Sequence, residues 1–312
     1  MRRLGWRRTV AIIVSSIAGT LLVAPLPASA GPAPPGYWLG AADGGVFAFN
    51  APFYGSGALH PGAPGPCSFT PQSASTLNAG LGCAVLVATP GGNGYWLLNV
   101  SSFPPHPFGQ ATMFGSAFGT GCTSLNGAQG LWTGMASSAT GAGIWAVSSN
   151  GGVIGCGDAV PFGGVTSLAL NGSVVGMAAT PDGNGYWLAA ADGGVFAFGD
   201  AAFAGSMGGV RLNAPIVGMA ATPDGDGYWL VAADGGVFAF GDAAFEGSMG
   251  GMRLNAPVVG MAATPDGKGY WLAAADGVVF SFGDAPFEGS MGGTELAGPV
   301  VGIAAYRPSS RG

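Results

Sequence analysis

The chain has 312 residues, of which 48% are apolar and only 8% are charged. Its 61 glycines and 23 prolines would suggest a disordered polymer, but they recur at fixed spacing between aromatic residues, which excludes that class. Beyond residue 30, five basic residues stand against 15 acidic ones, and this excess disfavours nucleic acid and anionic membranes as partners.

The first thirty residues have the pattern of a secretory signal peptide. Four arginines within Met1–Arg8 precede an apolar run, residues 10–26, and the small-residue sequence Ala28-Ser29-Ala30. This pattern predicts cleavage after residue 30 and export of one domain, residues 31–312. An uncleaved membrane anchor is the alternative, but polar and proline residues interrupt a run that is already short for a bilayer. We expect a secreted, extracellular protein, either free or associated with the cell surface.

A repeat of 42 residues organises the rest of the chain. The string GYWL begins at Gly185, Gly227 and Gly269, and the first two of these copies differ at five positions. Three divergent copies precede them, and all six place a tryptophan in one column: Trp38, Trp96, Trp145, Trp187, Trp229 and Trp271. A period of this length is typical of propellers and solenoids, and the tryptophans are expected to lie between the repeated units.

Each repeat predicts four short strands. In the middle copy these are Ile216–Thr222, Tyr228–Ala233, Val237–Phe240 and a weaker fourth at about Ala244–Met249. Pro-Asp-Gly and Asp-Gly-Gly sequences separate the first three, as tight turns require. Four antiparallel strands in about 42 residues are the size of one propeller blade.

The two ends of the repeat region complement each other. The first copy starts at Gly36 with a second strand, and residues 298–306 have the pattern of a first strand with no blade after it. We therefore predict an all-β, closed propeller of six blades that start near residues 36, 83, 132, 174, 216 and 258, with N- and C-terminal strands completing one blade. The wide spacing of the early copies leaves seven blades as an alternative.

These repeats resemble a known group. The sequence GYWL-x-AADGGVFAFGDA-x-F-x-GSMGG followed by VVGMAATPDG looks like the propeller-like repeats of secreted actinobacterial proteins, which are similar in layout to WD40-like and NHL-like blades. The resemblance is strong over residues 174–305 and weak over 57–135. It implies an architecture and a location but no defined activity, so no catalytic residue is carried over.

The four cysteines lie in the irregular first half, which also contains proline-rich stretches. An even count in an exported chain favours disulfides, and we prefer Cys67–Cys83 and Cys122–Cys156, since each would attach an insertion to a neighbouring blade. Metal binding by the cysteines lacks the usual spacing and a nearby histidine, so neither metal nor cofactor is expected. The stretches Gly57–Pro71 and Phe103–Phe108 are predicted to be long surface loops.

Aspartates recur in two columns of the repeat, which favours turns over catalysis because a catalytic carboxylate is needed only once. The columns are Asp43, Asp192, Asp234, Asp276 and Asp158, Asp200, Asp242, Asp284. Asp224 and Asp226 lie in a DGDG string resembling part of a calcium loop, but the terminal glutamate of such a loop is missing. Thr180, Asp182 and Trp187 are similar in spacing to the Asp-box turn of sialidase-type propellers, without the arginine cluster of those enzymes.

Catalytic chemistry has little support in this sequence. The only histidines are His60 and His106, both beside proline and predicted to be solvated, and no G-x-S-x-G sequence occurs. Charge varies between otherwise near-identical repeats at eight candidate binding positions: Asn184, Asp226, Lys268, Arg211, Arg253, Glu295, Glu246 and Glu288. Neutral drift on a solvated rim would produce the same variation.

We predict an exported, non-catalytic and monomeric scaffold that binds cell-wall glycan or another exported protein. One alternative is an extracellular lyase or hydrolase with its site at the mouth of the propeller channel. The other is a passive structural or adhesive surface protein.

Overall fold

The computed structural model of the protein describes residues 34–57, 83–99, 102–114, 122–125 and 130–308. The predicted signal peptide, His60 and Cys67 lie outside these residues. In the part of the chain that the structure describes, no helix has the length and apolarity needed to cross a membrane.

Nineteen strands in these residues form six antiparallel sheets, numbered here as blades. Blade 1 contains β1 (Gly36–Ala41), β2 (Val46–Phe49) and β19 (Val300–Tyr306), and blade 2 contains β3 (Cys83–Ala88), β4 (Gly94–Asn99) and β5 (Ser102–Gly109). Blade 3 contains β6 (Cys122–Leu125), β7 (Trp132–Ser137), β8 (Ile144–Ser148) and β9 (Val153–Cys156). Blade 4 contains β10 (Val174–Ala179), β11 (Gly185–Ala190) and β12 (Val195–Gly199); blade 5 contains β13 (Ile216–Ala221), β14 (Gly227–Ala232) and β15 (Val237–Gly241); and blade 6 contains β16 (Val258–Ala263), β17 (Gly269–Ala274) and β18 (Val279–Gly283).

The ring closes through blade 1, as predicted. Strand β19 pairs antiparallel with β1, so that Trp38 lies opposite Ala304. The inner strands β3, β7, β10, β13, β16 and β19 each adjoin the next, and β19 adjoins β3. Blades 1 and 2 also pack directly, since a Cβ built on Gly40 would lie 3.2 Å from Cβ of Leu86. Because every neighbouring pair is in contact, the described residues form a closed ring of six blades that leaves no gap for a seventh between them.

The predicted fourth strand is not formed in most blades. Residues 244–249 have no ladder partner, and five of the six sheets in the described residues have three strands. Gly247 interrupts this segment with a φ of +130°, which strand backbone does not adopt. The segment crosses instead toward blade 6, where the Tyr270 hydroxyl donates to Gly247 O over 2.6 Å. Among the described residues, only blade 3 has a fourth strand, β6.

The proline-rich stretch Phe103–Phe108 is a strand, and the prediction of a loop there was wrong. It lies within β5 and pairs with β4, placing Pro107 opposite Trp96. A proline is tolerated in a strand at the sheet edge, where its missing N–H faces outward. His106 is therefore an exposed strand residue and not a loop residue.

The tryptophan column forms the core between the blades, as predicted. All six tryptophans are buried, with at most 1% of their surface exposed. Trp187 of blade 4 packs against Tyr228 of blade 5 at a ring-centroid distance of 5.5 Å and donates its Nε1–H to Ala202 O over 2.8 Å. The Tyr228 hydroxyl in turn donates to Gly205 O over 2.5 Å. Each blade thereby joins its own outer segment and the next blade.

Candidate functional site

A channel of about 860 Å³ runs through the centre of the ring. Its walls are the six inner strands, and each of the repeats in blades 4 to 6 places one β-bulge there. The bulge leaves Val175, Val217 and Val259 without a register partner, and all three line the channel. The surface inside the ring is therefore mainly apolar.

Arg307 is the one charged residue that lines this channel among the residues described. It stands where the repeats of blades 4 and 5 have Pro181 and Pro223, also at the channel wall. Desolvation lowers the pKa of its guanidinium, which stays charged at neutral pH. No described histidine, aspartate or glutamate joins it in the lining, so the described wall brings one cation, and no acid–base pair, to the channel.

The first aspartate column forms turns, as predicted. Asp192 accepts a hydrogen bond from Gly194 N–H over 3.0 Å, and Asp234 does the same from Gly236 N–H over 3.0 Å. Asp43 and Asp276 accept the equivalent bonds. These carboxylates hold the hairpin between the second and third strands in blades 1, 4, 5 and 6.

The second aspartate column contacts the turn between the first and second strands. Thr222 Oγ1 donates to Asp242 Oδ1 over 3.2 Å, and Thr264 makes the same bond to Asp284. Each carboxylate in blades 4 to 6 also meets an aspartate of that turn. Desolvation, together with the neighbouring Asp224, raises the pKa of Asp242. Hydrogen bonds from Thr180 and Asn184 lower that of Asp182 to about 2.

Asp224, Asp226 and Asp242 form an exposed cluster in blade 5, with carboxylate oxygens within 4.8 Å of one another. Asp224 caps its turn by accepting from Asp226 N–H, and Asp242 accepts from Thr222. The cluster thus has a structural use in the turn.

The eight predicted binding residues do not converge on one site. Asn184, Asp226 and Lys268 are exposed on the turns between first and second strands, where Lys268 pairs with Asp266 over 3.3 Å. Arg211, Arg253 and Glu295 are exposed in the crossovers, which return to the opposite end of the blade. Glu246 and Glu288 are half-buried in the outer segments.

A column of large exposed apolar side chains, four phenylalanines and one methionine, was not predicted from the sequence. Large apolar side chains occupy the same position of the outer segment in five blades, with 59–79% of their surface exposed: Phe53, Met113, Phe203, Phe245 and Phe287. The available signal was that this phenylalanine repeats outside the alternating pattern that explains Phe238 and Phe240. We name this column the outer apolar column.

The disulfide Cys122–Cys156 is present, as predicted. It joins β6, from the insertion before blade 3, to the third strand β9, where the two cysteines are direct register partners. The other predicted pair, Cys67–Cys83, depends on a residue outside the described part of the chain.

Comparison with known proteins gives the fold alone. No protein-family description and no curated protein sequence matches this chain. A chain in a crystal structure of a nidogen/laminin complex is 12% identical, with a TM-score of 0.55, over 88% of this chain and 98% of that one. The β-propeller domain of Myceliophteria thermophila Cps50 (Swd1) is 13% identical, with a TM-score of 0.45, over 64% of this chain and 65% of that one. The likeness to the first agrees with a closed propeller.

Proposed function

We propose that the protein is exported and acts as a non-catalytic interaction scaffold, binding cell-wall glycan or another exported protein through the outer surface of its propeller. The signal-peptide pattern supports export. The rigid ring supports binding, because outer segments can carry contact residues without disturbing the tryptophan core between the blades.

The outer apolar column carries this proposal. Phe203, Phe245 and Phe287 expose 61%, 59% and 62% of their surface. More than half of each side chain is left in solvent, yet the same position holds phenylalanine in these three successive blades. Aromatic residues supply much of the binding energy at interaction sites, so a phenylalanine exposed at the same position of successive blades can serve as a repeated anchor for a partner.

Co-sedimentation of the exported protein with insoluble cell-wall material tests the proposal. We expect saturable binding that survives moderate salt, because apolar contacts are not screened. The triple variant F203S/F245S/F287S should bind about tenfold or more weakly, since three apolar anchors are lost.

The matched control is V210S/M252S, which removes apolar side chains of similar exposure (53% and 63%) from the crossovers. This variant should bind like the unmodified protein. Equal binding by the phenylalanine variant would exclude the outer apolar column as the contact surface. Absence of any saturable binding would remove the wall as the partner.

A further inference from the structure

We propose that the outer edges of β12, β15 and β18 bind an extended segment of a partner polypeptide, which adds to blades 4, 5 and 6 as a fourth strand. This inference rests on the proposed function and selects its partner class: a polypeptide with basic residues flanking a short extended stretch.

The third strand is the outermost strand of these three sheets. In blade 4 the hydrogen bond from Ala190 N–H to Gly194 O at the hairpin fixes which residue pairs of β11 and β12 are hydrogen-bonded, since bonded and non-bonded pairs alternate along an antiparallel ladder. The next bonded pair is then Leu188 with Phe196, and the backbone groups of Val195 and Ala197 point outward. The same hairpin bonds in blades 5 and 6 give the equivalent outward residues: Val237, Ala239, Val279 and Ser281.

Blade 3 shows what this edge accepts. There β6 pairs antiparallel with β9, with Thr123 opposite Gly155 and Leu125 opposite Val153. Every residue of β9 is buried, whereas Phe196, Ala197 and Phe198 of β12 remain half-exposed. A strand at the third-strand edge is therefore compatible with this blade and completes its burial.

Blade 2 shows an edge that is closed. Pro107 lies opposite Trp96, the position that Ala197 holds opposite Trp187 in blade 4. Proline has no N–H to offer, and it is a common means of protecting edge strands from pairing. The edges of β12, β15 and β18 have neither this protection nor an added strand from the described residues.

Charge indicates the chemistry of the occupant. In each of the three blades an aspartate precedes the third strand and another follows it: Asp192 and Asp200, Asp234 and Asp242, Asp276 and Asp284. None of these six carboxylates makes an ion pair in the described residues, where Lys268 and Asp266 form the one such pair, although the charge of Lys268 also acts on Asp284. In blade 1, by contrast, β2 is followed by Asn50. A segment of about five extended residues with a basic residue near each end would place positive charge at both ends of the third strand, where these two aspartates lie.

The probe for this site is the synthetic peptide acetyl-Lys-Lys-Ser-Thr-Ser-Leu-Lys-Lys-amide, which carries the β6 residues with serine in place of Cys122. Its matched control has the same sequence with alternate backbone amides N-methylated, which blocks strand pairing. We expect three peptides to bind per chain and the amides of Ala197, Ala239 and Ser281 to exchange about tenfold or more slowly with deuterium. The N-methylated peptide should give neither effect.

The protein variant A197P/A239P/S281P copies Pro107 into the three edges and should weaken peptide binding about tenfold or more. Its control, A197S/A239S, introduces the serine already present at position 281, keeps the N–H and should bind normally. Equal binding of the peptide to the proline variant, equal binding of the N-methylated peptide, or no binding of either peptide would overturn the inference. Self-association that the prolines abolish would also overturn it, by making a second copy the occupant.

Wall co-sedimentation separates this inference from the proposed function. If the proline variant sediments with the wall as well as the unmodified protein does and the peptide does not bind the edges, strand addition is wrong while the scaffold proposal stands. If the peptide binds the edges but the protein does not sediment with the wall, strand addition is supported and wall binding is excluded.

Discussion

Blade 3 and blades 4 to 6 bury the same tryptophan between neighbouring blades, although their sequences differ. Blades 4 to 6 are near-identical copies with three strands and a half-exposed third strand. Blade 3 has diverged, and it recruits β6 from an insertion and fixes it with the disulfide Cys122–Cys156. Both kinds of blade keep the buried tryptophan and its bond to the outer segment. The inner three strands and the tryptophan are thus the constant part, and the outer edge is free to vary.

The difference at the outer edge also changes what the surface presents. In blade 3 the position facing the edge is Gly155, and a Cβ there would lie 1.9 Å from Ala159 O. Blades 4 and 5 have alanine at this position and leave the edge open. In blade 3 the edge is filled by β6 from within the chain, whereas the edges of blades 4 to 6 have no added strand from the described residues.

The largest effect is expected from the constant part. Trp145→Ala in blade 3 and Trp229→Ala in blade 5 should each lower the free energy of unfolding by about 3–5 kcal/mol, because both side chains are buried and both donate to an outer-segment carbonyl. Urea denaturation of the two variants measures the loss.

Trp145→Phe and Trp229→Phe are the controls, which keep an aromatic ring and lose the bond. They should cost less than the alanine variants. A much smaller loss for Trp145→Ala than for Trp229→Ala would mean that the disulfide, not the shared core, holds blade 3 together.

Removal of the disulfide Cys122–Cys156 is expected to cause the next largest loss of stability, and the loss should be confined to blade 3. C122S/C156S opens a connection between residues 34 apart, which should lower stability by about 2–4 kcal/mol. Hydrogen exchange should show the β9 amides losing protection, while those of β11 and β14 keep theirs. Equal loss of protection in blade 5 would contradict the view that β6 is a local addition.

The regular blades could be predicted from sequence because their determinants are local and repeated. Alternating aromatic residues, paired glycine turns and the 42-residue period place the first three strands of each copy, and the unmatched ends predict closure. The fourth strand could not be predicted in this way. Residues 244–249 have strand-compatible side chains, but whether they pair depends on Gly247 and on Tyr270 of the next blade.

The strand β6 of blade 3 was not predicted and β5 was wrongly predicted to be a loop, for a related reason. The pairing of Cys122 with Cys156 was expected from the position of an insertion, but β6 itself has no strand pattern beyond four residues. Phe103–Phe108 contains three prolines, a strong loop signal in isolation. A strand tolerates these prolines only where the missing N–H groups face solvent. The sequence of the segment alone does not show which side of the strand that is. The candidate site was missed in the same way, since exposure of Phe203 is a tertiary property.

The smallest effect concerns charge in the turns and again divides the two kinds of blade. In blade 5 Asp242 meets Asp224, while in blade 3 the equivalent Asp158 accepts a bond from Thr140. A raised pKa means that the folded state favours protonated Asp242. The contribution of this group to stability is therefore present at low pH and lost as the pH rises through its pKa in the folded state.

Asp242→Asn mimics the protonated form and should raise the Tm by about 1–2 °C at pH 7. The gain should shrink as the pH falls through the raised pKa of Asp242, because the unmodified carboxyl then becomes protonated itself. Asp158→Asn should give no gain at pH 7, because it faces a hydroxyl donor, and an equal gain in both blades on thermal denaturation would contradict the role of the carboxylate pair.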